Sequence, residues 1–135
     1  MPSPAEIRKR VQARLAEQRV LVASLLRLRE QLPGSLFVRY GECGKEGCAC
    51  RAGHRHGPYY VLSTRSGGKG SFSYLEEESA DEARRLVSRA REFKKGMRRL
   101  QQVSADLVAL LKRYQQSQVA TTQKRLGIVA VAGRN

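Results

Sequence analysis

Five side chains able to ligate a metal fall within one short stretch: Cys43, Cys48, Cys50, His54 and His56. They are spaced C-x4-C-x-C-x3-H-x-H, and the chain has no other cysteine or histidine. Three thiolates and one imidazole make up the four-donor tetrahedron of a structural zinc site. The spacing matches neither a Cys2His2 finger nor a paired C-x2-C ribbon. Glycines at 41, 44, 47, 53 and 57 permit the tight turns that let such closely spaced ligands converge. His56 leads into an apolar run and is favoured as the fourth ligand; His54 is the alternative. Two other readings are weighed against zinc. One is a loop of inert cysteines with solvated histidines. The other is a thiol enzyme, but three crowded thiols on a small module offer neither a single nucleophile nor a pocket. The expectation is therefore a zinc-binding protein that is not an enzyme and has no catalytic residue. An odd, clustered cysteine count also argues against a disulfide framework.

A small sheet is expected to hold the cluster. Leu36–Tyr40 and Tyr59–Thr64 are rich in β-branched and aromatic residues, and Ser71–Tyr74 returns after the turn Gly67-Gly68-Lys69-Gly70. Six of the eight aromatics lie in these strands. They are expected chiefly to pack the sheet against helices, with base stacking as the alternative.

The run Pro33-Gly34-Ser35-Leu36, then Cys43-Gly44-Lys45 with Cys48 and Cys50, then His56-Gly57-Pro58-Tyr59-Tyr60, resembles an uncharacterised prokaryotic domain-of-unknown-function family. The resemblance covers about residues 33–95. It implies a central cysteine-rich module followed by a helix, zinc on Cys43, Cys48, Cys50 and His56, and an association with mobile elements.

Two long amphipathic segments flank the sheet. Ser3-Pro4-Ala5-Glu6 is a capping box with proline at the first helical position. Ile7, Val11, Leu15, Val22, Leu25 and Leu32 follow at helical spacing, with Leu21 and Leu28 beside them, up to the stop at Pro33-Gly34. Ser79-Ala80-Asp81-Glu82 reads as a second capping box. After it Ala83, Leu86, Ala90, Phe93, Met97, Leu100, Ser104, Leu107, Leu111 and Tyr114 alternate steps of three and four, a heptad pattern. The expected fold is α+β and a single domain, 1–135. Helix 3–32 and helix 79–117 form an antiparallel hairpin or coiled coil flanking a three-stranded antiparallel sheet at 35–75, with a zinc knuckle. Residues 119–135 form a tail in which 127–131 could be a strand or a docking segment. So thin a core predicts a homodimer or a larger protein complex.

The 135 residues carry 26 Lys and Arg against 12 Asp and Glu, a net charge of +14. Hydrophobic residues make up 41%, too many for wholesale disorder. No apolar run is long enough for a membrane span, and MPSPAEIRKR has no apolar leader core, so a cytoplasmic protein without a membrane partner is expected. Between residues 84 and 99 eight basic residues meet one acid, Glu92. On heptad geometry Arg84, Arg91, Arg98 and Lys112 share one position, Arg85, Arg99 and Arg113 the next, and Lys94 and Lys95 extend the run. A solvated face usually mixes signs so that i,i+4 pairs form; a cationic run suits a polyanion. Lys45, Arg51 and Arg55 on the cysteine loop, Lys69 in the hairpin, and Arg8, Lys9 and Arg10 could enlarge the surface. The expected function is nucleic-acid binding, with DNA favoured over RNA, as an accessory or architectural factor. The resemblance adds a transposition or recombination machine. The rival from another class is an assembly module, or a factor on a ribosomal RNA surface.

Overall fold

The computed structural model describes residues 2–129 and residue 133. Its elements run α1 (Pro4–Arg27), β1 (Ser35–Gly41), a 3-10 turn (Ala49–Ala52), β2 (His56–Ser66), β3 (Lys69–Leu75) and α2 (Glu77–Leu126). Two helices and a three-stranded antiparallel sheet make an α+β protein. The chain divides into two compact units: residues 28–95, and residues 1–27 with 96–135. The helix α2 supplies residues to both.

In the first unit the strands follow a meander, order β1-β2-β3. Register places Phe37 opposite Val61 and Val61 opposite Tyr74, so these three share a face; Leu36 and Leu62 share the other. Val61 and Leu62 are both buried, so each face covers at least one large side chain. The Arg84 guanidinium lies 5.9 Å from the Tyr60 ring centroid, which sets the Leu62 face toward α2. There Ala80, Ala83 and Val87 form the buried stripe of the helix.

In the second unit the capping box forms as its residues predict. Glu6 N–H donates to Ser3 Oγ at 3.2 Å, and Ser3 N–H donates to Glu6 Oε2 at 3.0 Å. Contacts between α1 and α2 pair low numbers with high ones: Arg8 with Tyr114, Arg14 with Asp106, Glu17 with Arg99. Gly96 seats against Leu25: a Cβ there would lie 2.6 Å from Leu25 Cδ2.

Several boundaries differ from the sequence expectation. The first helix ends at Arg27, not at 32. Pro33 disfavours helical backbone at Leu32, whose N–H instead donates to the Leu86 carbonyl at 3.1 Å. The second helix begins at Glu77, so the supposed cap Ser79 lies inside its first turn. It also runs past 117 to Leu126, where Gly127 at φ +65° closes it. The Ile128 N–H returns to the Gln123 carbonyl at 2.9 Å, a glycine-closed helix end. Residues 119–126 are thus helix, and 127–129 carry no strand; 130 and 131 lie outside the described residues.

The seam of α2 also shifts by one residue along its second half. Val103, Leu107 and Leu110 are buried, whereas Met97 and Leu111 are 39% and 53% exposed. The close approach of Leu25 selects Gly96 over its larger neighbour Met97. Val103 and Leu110 then take the inward positions expected of Ser104 and Leu111, while Leu107 keeps its place. On α1, Ile7 and Leu25 are buried but Leu15 and Val22 face outward.

Candidate metal centre and basic surface

Local backbone geometry gathers the cluster. Cys43 follows β1, Cys48 precedes the 3-10 turn, Cys50 lies within it and His56 opens β2. Gly57 sets the approach of β2 to β1. It sits at φ +139°, and a Cβ there would lie 2.8 Å from the Arg39 carbonyl oxygen. Opposite it, the β1 register slips between Arg39 and Gly41, so that Gly41 pairs with His56. An extra residue of this kind bends a strand and re-aims its end.

The ligating atoms of Cys43, Cys48, Cys50 and His56 all lie within 4.8 Å of one another. Cys43 Sγ and Cys50 Sγ are 3.5 Å apart, and Cys48 Sγ and His56 Nε2 are 3.3 Å apart. Ligands at zinc bond lengths in a tetrahedron stand roughly 3.3–3.8 Å from one another, so both pairs suit a single ion. Cys50 is buried, Cys43 and Cys48 half-buried, and His56 exposed. His54 is not in the group: its N–H bonds the Ala49 carbonyl and its side chain is exposed.

Backbone N–H groups point at the sulfurs, as thiolate ligands require. The Cys43 N–H donates to Cys50 Sγ at 3.3 Å. The Cys50 N–H, then the Cys43, Cys50 and His56 side chains, draw the Cys48 thiol down to about 6. Cys50 moves the other way. Although the Cys43 N–H pulls it down, burial and the adjoining Cys43 and Cys48 side chains push it above the ordinary thiol value. Without a cation, one sulfur ionises readily and its buried neighbour resists. A bound cation favours both thiolates. The cluster could therefore hold a metal ion, and its donor set fits one.

The basic residues fall into two groups. Arg84 pairs with Asp81 at 3.0 Å, besides lying over Tyr60. Arg99 pairs with Glu17 at 2.6 Å and bonds Gln102, and it holds the Glu17 carboxyl below the usual carboxylate range. Those two positions are compensated within the chain, contrary to the expectation of a wholly unpaired run. Arg85, Arg91, Lys94, Lys95 and Arg98 are exposed and form no ion pair among the described residues. Lys45, Arg51, Arg55 and Lys69 are likewise exposed, on the cysteine loop and the β2–β3 hairpin.

Charge divides unevenly between the two units. Residues 1–27 and 96–135 hold thirteen basic side chains and three acidic ones. All three acids are engaged: Glu6 in the capping box, Glu17 with Arg14 and Arg99, Asp106 with Arg14. Arg10, Arg14 and Arg113 line a groove of about 300 Å³ between α1 and α2. No motif marks that groove, because Arg113 lies about a hundred residues from Arg10 and Arg14. Among the described residues no helix is long and apolar enough to cross a membrane.

Fold and site together describe a small α+β protein with a Cys3His cluster and a cationic helical surface. The family model described as Domain of unknown function (DUF6788) matches residues 5–85, and the chain belongs to that family. The match spans α1, the sheet, the cluster and the start of α2, and it stops before most of the basic run. No curated protein matches the chain, and neither does any solved structure.

Proposed function

We propose that this protein is a nucleic-acid-binding accessory or architectural factor, not an enzyme, that grips phosphates through its helices. DNA is favoured over RNA, and the Cys43, Cys48, Cys50 and His56 cluster is a structural zinc site. The carrying observation is the cationic surface of residues 1–27 and 96–135, whose three acids are already engaged. Such a surface repels itself and is relieved by a polyanion. Four protein ligands would fill the zinc tetrahedron and leave no open position for substrate, so the metal's work is to fold the loop. A place in a transposition or recombination machine rests on the family resemblance alone. Gel shifts with DNA and RNA at low and high salt test the reading. We expect retarded complexes at low salt that dissolve as salt rises; no complex at low salt with either polymer would refute it.

One observation favours a second reading, assembly. Arg8 and Gln12 of α1 border the same cleft as Leu111 and Tyr114 of α2, whereas Arg10 and Arg14 meet Asp106 and Arg113 across the opposite side. At helical spacing Leu15, Val22 and Leu26 fall on the side of Arg8, and Met97 and Val108 on the side of Leu111. All five are exposed. The five lie between residues 15 and 26 on α1 and between residues 97 and 108 on α2, an apolar strip about 17 Å long. A second copy, closing a four-helix arrangement, is the occupant that such a face fits.

A further inference from the structure

The outward face of the sheet is built from aromatic rings. Phe37, Tyr59, Phe72 and Tyr74 lie on it around Val61, together with Arg39. Val61 is only 2% exposed, so the rings themselves roof it. Phe72 and Tyr74 remain 67% and 61% exposed. The rings form two edge-to-face pairs, Phe37 with Phe72 and Tyr59 with Tyr74, each with centroids 6.3 Å apart. In such a pair the ring that offers its edge keeps both of its faces off its partner. Arg39 donates to the Tyr74 hydroxyl at 2.9 Å, which holds its guanidinium beside the second pair.

Aromatic residues this exposed are costly in water and signal a ligand. Three observations choose its chemistry. No strand position on this face is acidic, while Arg39 and Arg65 both belong to it. The rings stand on rigid strands, not on a loop, so they are pre-organised as platforms. A cleft of about 430 Å³ opens at one end, lined by Arg39, Glu42, Cys43, His56, Tyr59 and Tyr74. That is room for a planar ring between aromatic walls with a cation alongside.

We infer that the face formed by Phe37, Arg39, Tyr59, Phe72 and Tyr74 binds unpaired bases of a single-stranded nucleic acid. Rings stack on successive bases without regard to sequence, and arginine meets the phosphates between them. Duplex bases are already stacked and offer this face nothing. The inference rests on the nucleic-acid reading above, and it adds the strandedness and the site.

Fluorescence anisotropy with labelled single-stranded and duplex oligonucleotides of one sequence tests it, on the full chain with zinc. Phe72→Ala and Tyr74→Ala remove exposed rings, and thermal melts verify that both variants fold. Each is expected to weaken single-strand binding about tenfold and to leave duplex binding unchanged. Tyr74→Phe, which keeps the ring and loses the hydroxyl, should retain most of the affinity. Unchanged single-strand affinity in both alanine variants, with wild-type binding intact, overturns this site alone and leaves the face to a protein partner. Absence of binding to any oligonucleotide at low salt overturns the nucleic-acid reading, and this inference with it.

Discussion

Cys50 is the residue on which the cluster turns. It is buried, it accepts the Cys43 N–H, and it lies 3.5 Å from Cys43 Sγ. If the cluster holds the proposed zinc, Cys50→Ser is expected to abolish its binding, measured by elemental analysis, and to lower the melting temperature. His54→Ala should leave metal content unchanged, and His56→Ala should not. The sulfurs also predict a pH signature in chelator-stripped protein. Cys48 falls from the ordinary thiol value of 9.0 to about 6, so the folded chain favours its thiolate. The stabilisation from that preference is full above about pH 9, declines as pH falls, and is gone near pH 6. Alkylation of Cys48, followed by peptide mapping, should reach half its maximal rate near pH 6. Half-maximal labelling near pH 9 would contradict the geometry. The ligand set was legible in the sequence because short spacing leaves few ways to converge. Choosing His56 over His54 needed only the start of a strand. The bulge opposite Gly57 that aims His56 was not legible, since it comes from backbone pairing between distant segments.

At the scale of elements the sharpest test is the seam of α2. Val103 is fully buried and Leu111 is 53% exposed, although the heptad pattern puts Ser104 and Leu111, not Val103, in the interior. Val103→Ala is expected to cost about 1–3 kcal/mol in urea unfolding. Leu111→Ala should change monomer stability by less than about 0.5 kcal/mol. Reversed values would restore the seam through Met97, Ser104 and Leu111. Periodicity found this helix because its alternation of three and four persists over many turns. It could not place the seam, because Leu110 and Leu111 are chemically identical and only the contact of Leu25 with Gly96 breaks the tie. The aromatics show a similar limit. Strand propensity located them, but the expectation that they pack against helices fails for Phe72 and Tyr74. A two-residue alternation gives sidedness without saying which side meets a helix.

For the whole molecule, charge and apolar surface each predict a partner. If the face of Leu15, Val22, Leu26, Met97 and Val108 joins two copies, light scattering after size exclusion gives twice the chain's 15.1 kDa. Val22→Glu with Leu26→Glu should then yield a folded monomer, because both side chains are exposed and a buried charge is tolerated only when paired. A wild-type monomer at high concentration would dismiss the dimer. The net charge was plain from composition, yet its distribution was not. Arg84 and Arg99 are matched within the chain, while Arg10 and Arg113 gain weight only when α1 meets α2. The central claim is that the remaining free cations hold phosphates, and the salt dependence of binding tests it most directly. Duplex affinity measured by anisotropy between about 50 and about 200 mM salt should fall steeply, with a log–log slope of about −0.9 per phosphate neutralised. In Arg85→Gln, Arg91→Gln and Lys95→Gln the slope should lessen by about one for each cation removed. No binding at the lowest salt, or a wild-type slope in the triple variant, would contradict the account.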